Sequence, residues 1–354
     1  MKKAANKISL FIKILIALNL TASFSLILSY TAGFISPQKI TFLGYFALAY
    51  IVILAVNVMF TFIWLFIKRK YALFNLILIL AGWNLIWNHF NIGLKNDLNT
   101  ENQIKIISYN THNFALKHPD SNLQSNINNV LHYIKENKAH LTCFQEFFTC
   151  KPRDTIRNDS ILKALNYKYY YFKTYVKPDK YRKMDAIATF SVFPIIKNVS
   201  LYNTRKELFG IYSDIVINKD TLRVYNLHLC SIRLNSTTDS TQGKALYKIG
   251  KAFKQRAKEV DFLRENIKKS PYPVFICGDF NDTPASYAYQ QLIKELDDTY
   301  QASATNTGNT YFWNIPPIRI DNILINKNYK VISYQTDKMP FSDHYAVVAH
   351  IKKR

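Results

Sequence analysis

The stretch YPVFICGDFNDTP, Tyr272–Pro284, decides how this chain is read. Its first half is apolar, with Val274, Phe275 and Ile276, and has the composition of a buried strand. Its second half places Asp279, Asn281 and Asp282 on three of four positions. Burying a lone carboxylate is costly unless it is paired or coordinates a metal. Gly278 permits a close turn at the point where the strand stops.

The same pattern recurs along the chain. Asn110 closes IKIISYN (Ile104–Asn110), and Glu146 stands near the end of HLTCFQEF (His140–Phe147). Asn226 and His228 sit in LRVYNLHL (Leu222–Leu229), Asp321 in RIDNILIN (Arg319–Asn326), and Asp343 and His344 open SDHYAVVAHI (Ser342–Ile351). Each is an acid, an amide or an imidazole in or beside an apolar strand. One such residue reads as a satisfied core group; six strand ends of this kind point to a site at one rim of a sheet. AIATFSVFPI (Ala186–Ile195) and IYSDIVI (Ile211–Ile217) add two more strands. Helical periodicity is confined to 122–138, 250–269 and a short segment near Tyr287. The soluble part is therefore an α+β domain, strand-rich and without regular βαβ alternation. Carboxylate and amide oxygens suit a hard ion, Mg²⁺ or Mn²⁺. A histidine backed by an aspartate can carry or stabilise charge near neutral pH. Together these groups fit metal-assisted hydrolysis of a phosphate ester.

Charge and hydropathy divide the 354 residues near Asn96–Glu101. Of 46 Lys and Arg and 24 Asp and Glu, residues 1–100 hold only 9 and 1, so the remainder carries a net +14. Three long apolar runs fill the first part: about Ile8–Phe34, Phe42–Phe66 and Tyr71–Trp87. About 20 apolar residues cross a bilayer. The first run is too long for the core of a signal peptide, and two more follow it. Residues 1–95 thus read as an all-α transmembrane region of three helices, and 101–354 as a separate catalytic domain. Lys2, Lys3 and Lys7 precede the first span and Lys68, Arg69 and Lys70 follow the second. Basic loops stay cytoplasmic, which places residues 101–354 outside after a third crossing; if Tyr71–Trp87 lies in the interface instead, the domain is cytoplasmic.

The ordered set SYN, FQEF, AIATFSVFPI, NLHL, CGDFNDTPAS, RIDNIL and SDHYAV resembles the endonuclease/exonuclease/phosphatase family, with its deoxyribonuclease-I-like fold, from about Ile104 to Ile351. The three-span region before it resembles a membrane-tethered bacterial subgroup, which implies a bacterial inner-membrane location. The implied fold is a four-layer α/β/β/α sandwich. By the same resemblance Glu146 is the principal metal carboxylate, with Asn110 and Asp343 helping to hold the ion. Asp279 orients or activates the attacking water, Asn281 binds phosphate, His228 meets the phosphate oxygens, and His344 acts at the scissile phosphate, polarised by Asp321. Departures from the family pattern at Ala186, Val192, Cys230 and Asn306–Tyr311 bear on substrate fit, not on these groups.

Other residues carry blander expectations. His112 reads as a loop hydrogen-bonding residue, Asp282 as a turn cap, and YKYYYFKTY (Tyr167–Tyr175) as a twisted strand with its lysines outward. Cys143, Cys150, Cys230 and Cys277 lack metal-ligand spacing, and Cys143 and Cys277 read as buried apolar side chains. Substrate class stays open. Nucleic acid suits the basic domain and is the first expectation. A lipid head group, cleaved by a sphingomyelinase-like or phosphoinositide-phosphatase-like enzyme, suits the membrane region. A non-catalytic membrane-tethered binding protein would be expected to lack one of Glu146, Asp279, Asp321 or His344, and all four are present.

Overall fold

The computed structural model describes residues 9–91, 102–114, 123–149, 165, 167–175, 184–232, 242–303, 308–312 and 316–354. Two of its helices, α1 (Leu10–Ala32) and α3 (Tyr50–Ile67), are long and apolar enough to cross a membrane. A short helix α2 (Leu43–Leu48) lies between them. The third apolar run differs from a straight span. It forms α4 (Arg69–Ala81) and α5 (Trp83–His89), bent by 64° at Gly82. A Cβ at Gly82 would fall 2.2 Å from the Tyr30 ring, so α1 packs directly against the bend.

Among the described residues twelve strands build two sheets, flanked by helices as in the sandwich expected from the sequence. The first contains β1 (Ile104–Asn110), β2 (Leu141–Thr149), β3 (Tyr169–Thr174), β4 (Met184–Ser191), β11 (Tyr329–Asp337) and β12 (Ala346–Lys353), ordered β11-β12-β1-β2-β4-β3. The second contains β5 (Ile195–Tyr202), β6 (Leu208–Ile217), β7 (Asp220–His228), β8 (Val274–Asp279), β9 (Leu296–Asp298) and β10 (Asp321–Asn326), ordered β5-β6-β7-β8-β10-β9. Alternation along each strand sorts side chains into layers. Ile106 and Cys277 enter the core between the sheets, whereas their neighbours Ile107 and Ile276 face the outer helices. Helix α6 (Leu123–Asn137) covers the first sheet through Ile127, Val130 and Ile134. Helices α7 (Gln242–Lys268) and α8 (Tyr287–Leu292) cover the second through Val260, Leu263 and Tyr289. A last short helix, α9, spans Thr299–Ser303.

Each sheet has one parallel pair at its centre, β1 with β2 and β7 with β8. Parallel neighbours need a crossover; α6 lies in the first and α7 in the second. Parallel pairing puts two C-terminal strand ends at the same rim. Asn110 aligns with Gln145 in one sheet and His228 with Asp279 in the other. Antiparallel β10 adds Asp321 opposite Asp279. The topology thus gathers the polar strand ends that the sequence scatters over more than 200 residues.

Candidate active site

Three backbone devices aim these side chains. Glu146 stands in a bulge of β2, between Phe144 and Phe147, with φ +47°. A bulge re-aims a side chain off the regular face of a strand. Gly278 has φ +143°, and a Cβ there would lie 2.0 Å from the Leu227 carbonyl oxygen, so only glycine fits before Asp279. Asn281, at φ +52°, turns the chain back so that its backbone N–H donates to Asp279 Oδ1 at 2.7 Å.

The centre of the site is Asp279 Oδ2. It accepts from Asn110 Nδ2 and Asn281 Nδ2, both at 3.1 Å. His228 Nε2 lies 3.7 Å from it and His344 Nε2 3.9 Å. Glu146 Oε1 is 3.5 Å from His228 Nε2 and 3.4 Å from Asn110 Nδ2. Asp343 Oδ1 is 3.9 Å from His344 Nε2. All eight residues expected from the sequence therefore meet at one rim. His344 Nδ1 and Asp321 Oδ2 share a hydrogen bond of 2.9 Å, and Asp321 is itself fixed by its backbone N–H on Thr310 Oγ1. Ser342 ties the two sides together, donating to the Asn110 carbonyl at 2.8 Å and accepting from the His344 N–H at 3.1 Å.

Charges crowded in a largely buried rim shift one another. Burial and the Asp321 charge push Asp279 up to about 6, against the pull of His344 and His228. Burial works against a charged His344 ring, but Asp321 and Asp279 outweigh it and push the imidazole up to about 10. Burial also opposes the charge on Glu146, which His228, His112 and Asn110 nevertheless hold below the ordinary carboxylate value. These surroundings favour a charged Glu146 and a cationic His344, and raise the Asp279 carboxyl toward neutrality.

Some residues sit differently from the sequence reading. His112 lines the site, with Nδ1 3.3 Å from Asp343 Oδ1 and 3.6 Å from Glu146 Oε2. Tyr175 does too: its hydroxyl is 3.0 Å from His228 Nδ1. β3 is the expected strand, but Lys173 is half-buried. Tyr311 stands edge-on to the His344 ring at 5.0 Å. Asn226 leaves the site and bridges the sheets, accepting from Gln145 Nε2 at 2.7 Å and donating to the Ala188 carbonyl at 2.8 Å. Asp282 does accept from the Thr283 N–H, but it also pairs with the buried Arg256 at 2.8 Å. Arg256 donates in addition to the Cys230 carbonyl at 2.9 Å, and so clamps the segments after His228 and after Asp279. Asn281 has both amide hydrogens engaged, on Asp279 and on the Leu229 carbonyl. Cys143 and Cys277 are buried free thiols, Cys230 is half-buried, and Cys150 lies outside the described residues.

The donor set fits a cation. Asp279, Asp321 and His344 each offer a ligand atom within 4.8 Å of the others. The Asp321–His344 pair already satisfies itself in part, whereas Glu146 is the more accessible acid, its side chain 24% exposed. Asp321 Oδ1 and His228 Nε2 are buried without a hydrogen-bond partner among the described residues. Buried polar atoms left unpaired around acids mark a place where a ligand or ion completes the bonding.

A model of the endonuclease/exonuclease/phosphatase family matches residues 107–344. Residues 12–89 match a domain model whose function is unknown. Among solved structures, an endonuclease/exonuclease/phosphatase from Beutenbergia cavernae is 15% identical, with a TM-score of 0.55 over 72% of each chain. Another from Bacteroides vulgatus is 17% identical, with a TM-score of 0.52 over 72% of this chain and 100% of that one. The human Nocturnin catalytic domain, solved with a bound sulfate anion, is 16% identical, with a TM-score of 0.50 over 74% of this chain and 97% of its own. At such identities the likeness is one of fold. A search of curated proteins gives no significant match. The family match takes in strands of both sheets and every residue of the rim cluster, and the chain belongs to the endonuclease/exonuclease/phosphatase family of phosphate-ester hydrolases.

Proposed function

We propose that the chain is a membrane-anchored phosphodiesterase that works with Mg²⁺ or Mn²⁺, with nucleic acid as the first substrate class. Residues 1–95 form the anchor, and residues 101–354 form the catalytic domain on the extracytoplasmic face of a bacterial inner membrane. The observation that carries this reading is the convergence, from both sheets, of Glu146, Asp279, His228 and His344 at separations of 3.5–3.9 Å. Those distances are too long for hydrogen bonds between the groups and leave room for a third party.

In this reading Glu146, Asn110 and Asp343 hold the ion, which supplies Lewis-acid stabilisation of charge on phosphate oxygens. Asp279 receives a proton from the attacking water or orients it. A titration near 6 suits that task at neutral pH. His344, cationic and held by Asp321, faces developing charge at the phosphate. His228 is aimed by Tyr175 so that its unpartnered Nε2 points to the same place. Asn281 orients Asp279, and must give up one of its present bonds to contact phosphate.

A second reading is hydrolysis of lipid head groups. It is favoured by the helical bundle meeting the chain just after the GDFN turn, where Thr283 Oγ1 donates to the Ala47 carbonyl at 3.2 Å. The test uses the full chain with Mg²⁺ or Mn²⁺ on DNA, RNA, sphingomyelin, glycerophospholipids and phosphoinositides, with Asp279→Ala beside it. Nucleic-acid cleavage lost in the variant supports the first reading. Cleavage of lipid alone replaces it with the second. No turnover of any of them removes both.

A further inference from the structure

The long helix α7 makes more contact with the N-terminal bundle than a crossover between strands requires. Tyr45 Oη, in α2, donates to the Leu246 carbonyl at 2.6 Å. Gly44 packs so closely on Phe253 that a Cβ there would lie 2.4 Å from its ring. Gln38 donates to Asp261 at 3.1 Å. These contacts run from Leu246 to Asp261, about 22 Å of helix at 1.5 Å per residue. Their partners all lie in the Gln38–Tyr45 segment, between the two helices long enough to span a membrane. A helix laid along such a connection lies at the level where spans leave the bilayer.

About 100° around α7 from that contact line runs a second stripe. Tyr247, Lys251, Lys254, Lys258 and Phe262 follow at spacings of four, three, four and four. All five are exposed, Tyr247 by 65% and Phe262 by 48%. Leu246, next to the Tyr45 contact, is 51% exposed, and Phe42 of the connection is 52% exposed. Exposed apolar surface thus continues from the lipid-facing sides of α1 and α3 onto the start of α7. Lysine stems can lie along that surface while their ammonium groups reach outward. Aromatic rings beside lysines are the chemistry of an interfacial helix on an anionic surface.

We infer that α7 is a membrane-surface helix whose lysine stripe binds anionic phospholipid head groups beside the anchor. The inference rests on the anchoring reading and is independent of what the active site cleaves. It makes α7 one continuous element from the bilayer to Arg256, which holds the segments behind His228 and Asp279.

The experiment places a fluorophore on single cysteines, in a Cys150→Ser, Cys230→Ser background of the full chain. The sites are Tyr247→Cys, Lys219→Cys in the β6–β7 turn at the opposite end of the strands, and Val52→Cys on an exposed side of α3. Nanodiscs contain phosphatidylcholine with or without phosphatidylglycerol, and carry spin labels at the head group or in the acyl chain. Head-group quenching is expected at 247, severalfold above that at 219. It should be stronger with phosphatidylglycerol, and a Lys251→Gln, Lys254→Gln, Lys258→Gln variant should lose that increment. Acyl-chain quenching at 52 with none at 247 overturns the inference and leaves the anchor standing. No quenching at 52 breaks the anchoring itself. Quenching at 247 that ignores lipid charge, or protection of the stripe by an oligonucleotide in place of lipid, also overturns it.

Discussion

Two of the buried polar clusters in this protein are built on opposite terms. In the helical bundle, Asn19 and Asn75 exchange amide hydrogen bonds at 3.1 and 2.6 Å, joining α1 to α4. Asn57 of α3 donates to the Ala22 and Ile53 carbonyls at 3.0 and 2.9 Å. These amides are neutral, and each meets a partner from its own chain. At the strand rim the groups are acids and imidazoles, several of them 3.5–3.9 Å apart, with Asp321 Oδ1 and His228 Nε2 left unpaired. A cluster that satisfies itself holds helices together. Crowded acids and imidazoles, by contrast, could hold an ion.

The widest gap between the two should appear on removing a rim charge. Glu146→Gln keeps shape and loses the charge, so turnover should fall by about 10²–10³ or more while the thermal midpoint stays close to that of the parent. Chelating divalent ions should give the same loss, reversed by Mg²⁺ or Mn²⁺. Steady-state rates and thermal denaturation on one preparation decide it. A large loss of stability with modest loss of rate would make the rim a structural cluster like the one in the bundle, and the contrast would disappear.

Arg256–Asp282 is an intermediate case, a buried charged pair that satisfies itself beside the site. Arg256 is fully buried, and burial raises Asp282 against the opposing pull of that guanidinium. Arg256→Met leaves a buried carboxylate with a lost partner, which typically costs about 3–5 kcal/mol. Denaturant unfolding of the full chain measures it. Replacing both partners with Met and Leu should recover much of the stability. Failure to recover would mean that the guanidinium bond to the Cys230 carbonyl matters more than the ion pair.

The sequence shows these clusters unequally, for physical reasons. Rim residues stand out because each interrupts an apolar strand, and the parallel pairs then carry Asn110, Glu146, His228 and Asp279 to one edge. The bulge at Glu146 and the φ of Asn281 leave no trace in periodicity. Arg256 looks like an ordinary polar residue on a lysine-rich helix, because its partner Asp282 lies 26 positions on and reads locally as a turn cap. His112 and Tyr175 join the site only through contacts between distant segments. β5, β9 and β11 escape notice for the same reason, since an edge or short strand is defined by its neighbour more than by its own composition. The third apolar run looks like a single span, and its bend at Gly82, where Tyr30 packs, leaves no mark in its hydropathy.

Protonation sharpens the contrast further. His344 is raised to about 10, so in the metal-free protein its ring should stay cationic well above pH 7. A histidine raised above its ordinary 6.5 contributes stability that is full below 6.5 and lost as pH rises through about 10. Nitrogen chemical shifts of the ring follow this directly. Asp321→Asn removes the largest charge that raises it and should bring the midpoint down. A ring that titrates near 6.5 in the parent would show that Asp321 orients His344 without holding its proton.

The smallest effect is expected in the bundle. Asn75→Leu removes the reciprocal amide pair and leaves Asn19 facing an apolar side chain of similar size. Interhelical hydrogen bonds in a membrane average about 0.6 kcal/mol and reach about 1.7 at most, because an amide freed in the bilayer finds other partners. Asn19→Leu combined with Asn75→Leu removes both amides and should come close to the parent, since Ser23, which also donates to Asn75, keeps Asn57 as an acceptor. The single and double variants, compared by unfolding in mixed micelles, give the coupling between the two amides. A coupling near zero would mean that α1 and α4 are held by packing alone. A rate change in the double variant would show that the bundle reaches the rim, through the Ala47–Thr283 bond and α7.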